Sequence, residues 1–207
     1  MNKLFITLLL LAVALFPRGA SADTRYVVLA HGWDGGTTLG PLSWGASLPL
    51  WEAAGYTPVV VSLPNDNVAG AGVIRDAIDA LPAGSTVHLV GHSMGGLSSR
   101  HYMKFLGGDT RVSSYTSIDS PQYGVPWVKA FLYGNMQMWS GSTFLGALNA
   151  PDATPGPAPY LQLTLDYPQA LPGATVVTIT SLSPTATHKS AVTDPLIIQY
   201  IIDSYTD

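Results

Sequence analysis

The sequence predicts an α/β fold, a mostly parallel sheet of about six strands with helices on both faces. Three observations predict it. The runs Tyr26–Ala30, Pro58–Leu63 and Thr86–Val90 are largely apolar and rich in β-branched residues, and Val112–Ile118 follows them as a fourth strand-like stretch. Strands with one wet face would alternate instead, so these runs read as buried on both sides. Between them lie stretches with apolar residues at helical spacing, and strand–helix alternation at this spacing is the pattern of parallel strands joined by crossovers.

Taken in order, Tyr26–Ala30 is the first strand, followed by a Gly-rich loop from His31 to Gly40. A short helix is expected near Leu48–Ala54, with Ser47 as its cap. Pro58–Leu63 is the second strand. Ala69–Leu81 is a helix with Arg75, Asp76 and Asp79 outward, ended by Pro82-Ala83-Gly84. Thr86–Val90 is the third strand, Ser93–Phe105 a helix stopped by Gly107-Gly108, and Val112–Ile118 the fourth strand. The segment 123–150 breaks the rhythm. It carries Trp127, Phe131, Leu132, Met136, Met138, Trp139, Phe144 and Leu145 with little charge. It reads either as a cap over an active site, with methionines giving adaptability, or as ordinary packing under a loop. After a proline-rich loop, Tyr160–Leu165 and Thr175–Ser181 are two further strands. Asp194 caps a closing helix that has Pro195 at its first position.

The first 22 residues have another layout. Lys3 precedes the apolar run Leu4–Phe16, and Ala20-Ser21-Ala22 offers small residues for cleavage, as in a secretory signal peptide. The run is short for a membrane span, which needs ~20 residues. The expectation is therefore a leader at 1–22, one catalytic domain at 23–207, and a secreted or periplasmic product. The chain has no cysteine, so stability must come from core burial and not from disulfides. The net charge of the whole chain is −4, more negative once Lys3 and Arg18 leave with the leader. No basic cluster is present, which argues against a nucleic-acid partner.

The chemistry is carried by Gly91-His92-Ser93-Met94-Gly95. This G-x-S-x-G gains weight from its context, a strand immediately before it and a helix immediately after. That setting puts a serine on a sharp turn with its hydroxyl exposed above the sheet. The glycines leave room where side chains would collide. The helix start supplies N–H groups for an oxyanion. Met94 N–H is the first candidate donor, and Trp33 N–H, from His31-Gly32-Trp33 after the first strand, is the second.

Val28-Leu29-Ala30-His31-Gly32-Trp33 together with Gly91–Gly96 resemble the small bacterial lipases of the class 2 type. The likeness continues through His101–Gly108, Ser142–Asn149 and Asp152–Gly156. The resemblance implies a reduced α/β-hydrolase fold and hydrolysis of fatty-acid esters. The expected partner is then a small or lipid ester, with transient contact at lipid interfaces.

In such a fold the triad runs Ser, acid, His along the chain. His188, alone in the C-terminal third, fits the base. His31, His88, His92 and His101 read as structural. Asp166, closing the strand Tyr160–Leu165, is the favoured acid by the same resemblance. The stretch after it is shorter than in those lipases and carries Pro168. Asp119, in Ser117-Ile118-Asp119-Ser120-Pro121, is the rival; Asp152 and Asp194 are weaker. The expected catalytic set is Ser93, His188 and Asp166, with Trp33 and Met94 as the oxyanion hole. Neither metal nor organic cofactor is required by this chemistry. A thioesterase or polyester depolymerase would use the same triad, and a non-catalytic binding member of the fold is the reading from a different class.

Overall fold

A computed structural model describes residues 24–34, 39–126 and 136–206. The proposed leader and Trp127, Phe131 and Leu132 of the aromatic segment lie outside the described residues. Six strands form one sheet: β1 (Arg25–Ala30), β2 (Thr57–Val61), β3 (Thr86–His92), β4 (Ser114–Ile118), β5 (Tyr160–Thr164) and β6 (Thr175–Thr178). Their order is β2-β1-β3-β4-β5-β6, and every neighbouring pair is parallel. The helices are α1 (Leu48–Ala53), α2 (Asn67–Asp79), α3 (Met94–Phe105), α4 (Thr143–Asn149), α5 (Ile179–Leu182) and α6 (Pro195–Asp203). Among the described residues no helix is long and apolar enough to cross a membrane.

The unbroken apolar strands are explained by a core on each face. In β1 the alternate residues Val27 and Leu29 join Trp44, Trp51, Ile197 and Ile201 on one side. Val28 and Ala30 join Ile74, Ile78 and Met103 on the other. A period of two thus feeds both layers, each buried by a helix pair. A third cluster, Met94, Leu97, Val125, Met138, Leu145 and Leu148, packs α4 and its approach against α3.

Two local expectations are corrected. Ser47 is not a cap: a 3-10 helix, Gly40–Ser47, runs straight into α1, and Ser47 Oγ donates to the Trp44 carbonyl at 2.8 Å. Burial of Trp44 accounts for this, since the added turn carries the indole into the core. The last strand ends at Thr178, where Ile179 turns into the core and the chain coils as α5. Asp194 does cap α6, accepting from Leu196 N–H (2.9 Å) and Ile197 N–H (3.4 Å).

The turn from β3 into α3 is tightly packed. A methyl group added at Gly91 would come 2.6 Å from Gly96 Cα and 2.7 Å from the Gly95 carbonyl oxygen. Both obstacles are backbone, which cannot yield without moving the turn. Gly91→Ala is expected to lower stability by about 1–3 kcal/mol or more, read as a fall in the urea midpoint. An unchanged midpoint would mean that the turn is looser than described.

Candidate active site

Parallel strands end together, so the residues after β3, β4 and β5 share one edge of the sheet. Ser93 follows β3 with φ 53° and ψ −123°, and Asp119 follows β4 with φ 45°. These are the two described non-glycine residues at positive φ, a conformation that L residues adopt at a cost of order 1–3 kcal/mol. Backbone bonds hold both in place. Ser93 N–H donates to the Ile118 carbonyl at 2.9 Å, and Asp119 N–H to the Leu163 carbonyl at 2.7 Å. Each strand end is therefore tied to the next strand.

The carboxylate that meets His188 is that of Asp119, not Asp166. His188 Nδ1 lies 2.7 Å from Asp119 Oδ2. Asp119 is fully buried and also accepts from the backbone N–H groups of Leu165 (2.8 Å), Tyr167 (3.1 Å) and Asp166 (3.2 Å). Burial is the largest single influence on its carboxyl and pushes the pKa up. The bonds from His188 and the three N–H groups together outweigh it, so the pKa lies below the ordinary value and the group is ionised.

The short chain after β5 explains the exchange. It wraps its amides around Asp119, which spends the Asp166 N–H on that carboxylate and leaves the Asp166 side chain exposed. The Asp166 carboxylate comes within 4.8 Å of the other two groups without bonding His188. Asp119, Asp166 and His188 also form the one set of described His and carboxylate groups close enough to share a metal ion. Both Asp119 oxygens already receive N–H donors, so its lone pairs are engaged.

The loop after β1 closes on Ser93. A Cβ on Gly32 would stand 2.9 Å from Ser93 Cβ, so only glycine lets this backbone approach. Leu63 N–H donates to His31 Nε2 at 2.8 Å. That leaves the proton on His31 Nδ1, which donates to the Gly32 carbonyl at 2.6 Å. In a trans peptide the N–H opposes the C=O, so the Trp33 N–H is turned away from His31. Met94 opens α3 directly behind Ser93. Met94 thus follows the serine directly, and Trp33 follows Gly32, whose backbone packs against it. Trp33, Leu39, Gly40, His92 and Lys189 line a cleft of about 480 Å³ at this place.

The remaining histidines lie apart or underneath. His88 sits within β3, stacked on Tyr205 at 3.7 Å and bonded to Ser114 Oγ. His101 packs against Phe105 and Phe144. His92 is buried directly beside His188, with ring centroids 4.6 Å apart. Burial lowers its pKa to about 3, assisted by repulsion from His188 and His31 and opposed by the His188 carbonyl and Asp119. An unfolded histidine takes up its proton near pH 6.5, whereas this one does not until about pH 3. The unfolded state then binds more protons between those values, so stability is lost as pH falls through that window. Urea midpoints at pH 7 and pH 4.5 should differ less in His92→Gln than in the wild type. Equal pH slopes would sink this account.

A family model described as the alpha/beta hydrolase family matches residues 27–202. The chain belongs to the alpha/beta hydrolase family. No curated protein matches it by sequence, but solved structures do by fold. A metagenomic carboxyl esterase aligns over 72% of this chain and 52% of its own length, at 18% identity and TM-score 0.57. The chain thus spans about half of that esterase. A mature Bacillus licheniformis lipase aligns over 70% and 67%, at 17% identity and TM-score 0.53. Polyneuridine aldehyde esterase aligns over 87% and 98%, at 16% identity and TM-score 0.56. At these identities the likeness shows the alpha/beta hydrolase fold, which the family's esterases and lipases share with this chain.

Proposed function

We propose that this alpha/beta hydrolase is a secreted serine esterase of the lipase type, with Ser93 as nucleophile, His188 as base and Asp119 as acid. The observation that carries the reading is the His188 Nδ1–Asp119 Oδ2 bond of 2.7 Å, at the same sheet edge as the strained Ser93. Asp119 accepts the Nδ1 proton and so presents the Nε2 lone pair of His188 for chemistry. Nε2 takes the Ser93 proton as Oγ attacks the ester carbonyl carbon. Met94 and Trp33 N–H groups hold the resulting oxyanion. The intermediate collapses as His188 returns the proton to the leaving alcohol, and water repeats the cycle to release the acid. The cleft of about 480 Å³ falls within the range of small-molecule sites, about 300–1,000 Å³. Export is supported by Lys3, the apolar run to Phe16 and Ala20-Ser21-Ala22. The likeness to class 2 bacterial lipases supports fatty-acid esters as substrates.

The test is hydrolysis of p-nitrophenyl esters from acetate to palmitate, beside an acyl thioester of matched chain length. Cleavage of the oxygen esters in preference to the thioester is expected, and the chain-length profile separates esterase from lipase. Faster thioester cleavage would make the protein a thioesterase. A folded protein inert on the whole series would overturn the reading.

A further inference from the structure

We propose that His92, the last residue of β3 and the one before Ser93, is a positioning residue that holds the His188 loop over Ser93. This rests on the assignment of His188 as base. His92 Nε2 lies 2.8 Å from the His188 carbonyl oxygen. A carbonyl only accepts, so His92 carries its proton on Nε2 and donates it there. The bond spans 96 residues of sequence and joins the tightest turn of the site to a loop that has no strand to fix it. His188 sits between β6 and α6, in a stretch framed by the 3-10 turn Ser190–Val192. Its ring is held through Nδ1 by Asp119 and its backbone through the carbonyl by His92. Neither contact uses Nε2, the atom that must reach Ser93 Oγ.

The ring also acts through its face. It lies 4.6 Å from the His188 ring, centre to centre, tilted by 44°. His188 becomes an imidazolium during acyl transfer, and a second cation at that distance would oppose it. The groups around His92 are His188, Asp119 and His31, and its burial keeps it neutral through the pH range of catalysis. A neutral donor of this shape therefore serves where lysine or arginine would not. There is little room for substitution from below, because Gly32 packs against His92 Nδ1.

The experiment compares His92→Gln with His92→Leu. Glutamine places an amide N–H close to the histidine Nε2 position, whereas leucine keeps bulk and loses the donor. Misplacement of a catalytic group by about 1 Å can cost about a hundredfold. The expected result is a kcat loss of about tenfold to a hundredfold in His92→Leu with KM nearly unchanged, and substantial recovery in His92→Gln. A second readout does not depend on turnover. The downfield proton signal of His188 Nδ1–H should persist in the wild type and in His92→Gln, and broaden or vanish in His92→Leu. Wild-type kcat and signal in His92→Leu would overturn the inference. So would equal loss in both variants when both stay folded by thermal melting. If the wild type cleaved no ester, the proposed function would fail, and the His188 signal would still decide this point.

Discussion

Ser93→Ala is expected to lower kcat on short p-nitrophenyl esters by about 10⁴- to 10⁶-fold. The size of the effect follows from the division of labour at the turn. The backbone holds the turn, through Ser93 N–H on the Ile118 carbonyl and Gly96 N–H on the Ser93 carbonyl at 3.1 Å. In the proposed mechanism the hydroxyl is the nucleophile. Alanine keeps the former and removes the latter, so the thermal midpoint should barely move while turnover collapses. A folded variant that retained a tenth of the rate would place the nucleophile elsewhere.

Asp119→Asn should have the next largest effect, a fall in kcat of about 10³- to 10⁴-fold. An amide cannot reliably accept the His188 Nδ1 proton, so the ring loses its preferred tautomer, and the imidazolium loses its counter-charge. The three backbone N–H groups from residues 165–167 also lose the charge they converge on. Asp166→Asn, by contrast, should leave kcat close to the wild type, because its exposed carboxylate bonds no catalytic group. The pair is diagnostic: collapse in Asp166→Asn with survival of Asp119→Asn would reverse the assignment. Linkage adds a check on stability. The Asp119 carboxyl titrates below its ordinary value when folded, so it contributes stability above the ordinary carboxyl range that is lost as pH falls through the folded pKa. Asp119→Asn should lose that part of the acid sensitivity.

The sheet was legible because each central strand carries apolar residues on both faces, and that pattern has few alternatives. Ser93 was legible because a strand, five residues and a helix specify a single kind of turn. The acid was harder. Asp119 and Asp166 both end strands in the right chain order, and the choice depends on which way a three-residue loop directs its amides. No periodicity encodes that. The shortness of the segment around Pro168 was the available sign that the β5 end would not deliver a side chain in the expected way. The contact between His92 and His188 was illegible for a related reason. It joins residues far apart in sequence, and a histidine flanking a nucleophile gives no local hint of what lies above it. Ser47 misled because a serine before a helical run is a cap only if the chain arrives extended, and Trp44 draws it in as another turn.

Each strand end rests on its neighbour, Ser93 on the last residue of β4 and Asp119 on β5. Asp119, after β4, meets the His188 imidazole, and the Asp166 carboxylate, after β5, lies within 4.8 Å of both groups. In the proposed triad, a change in the loop after β5 alone would therefore suffice to exchange the carboxylate that meets His188, with the serine, the histidine and the sheet left where they are.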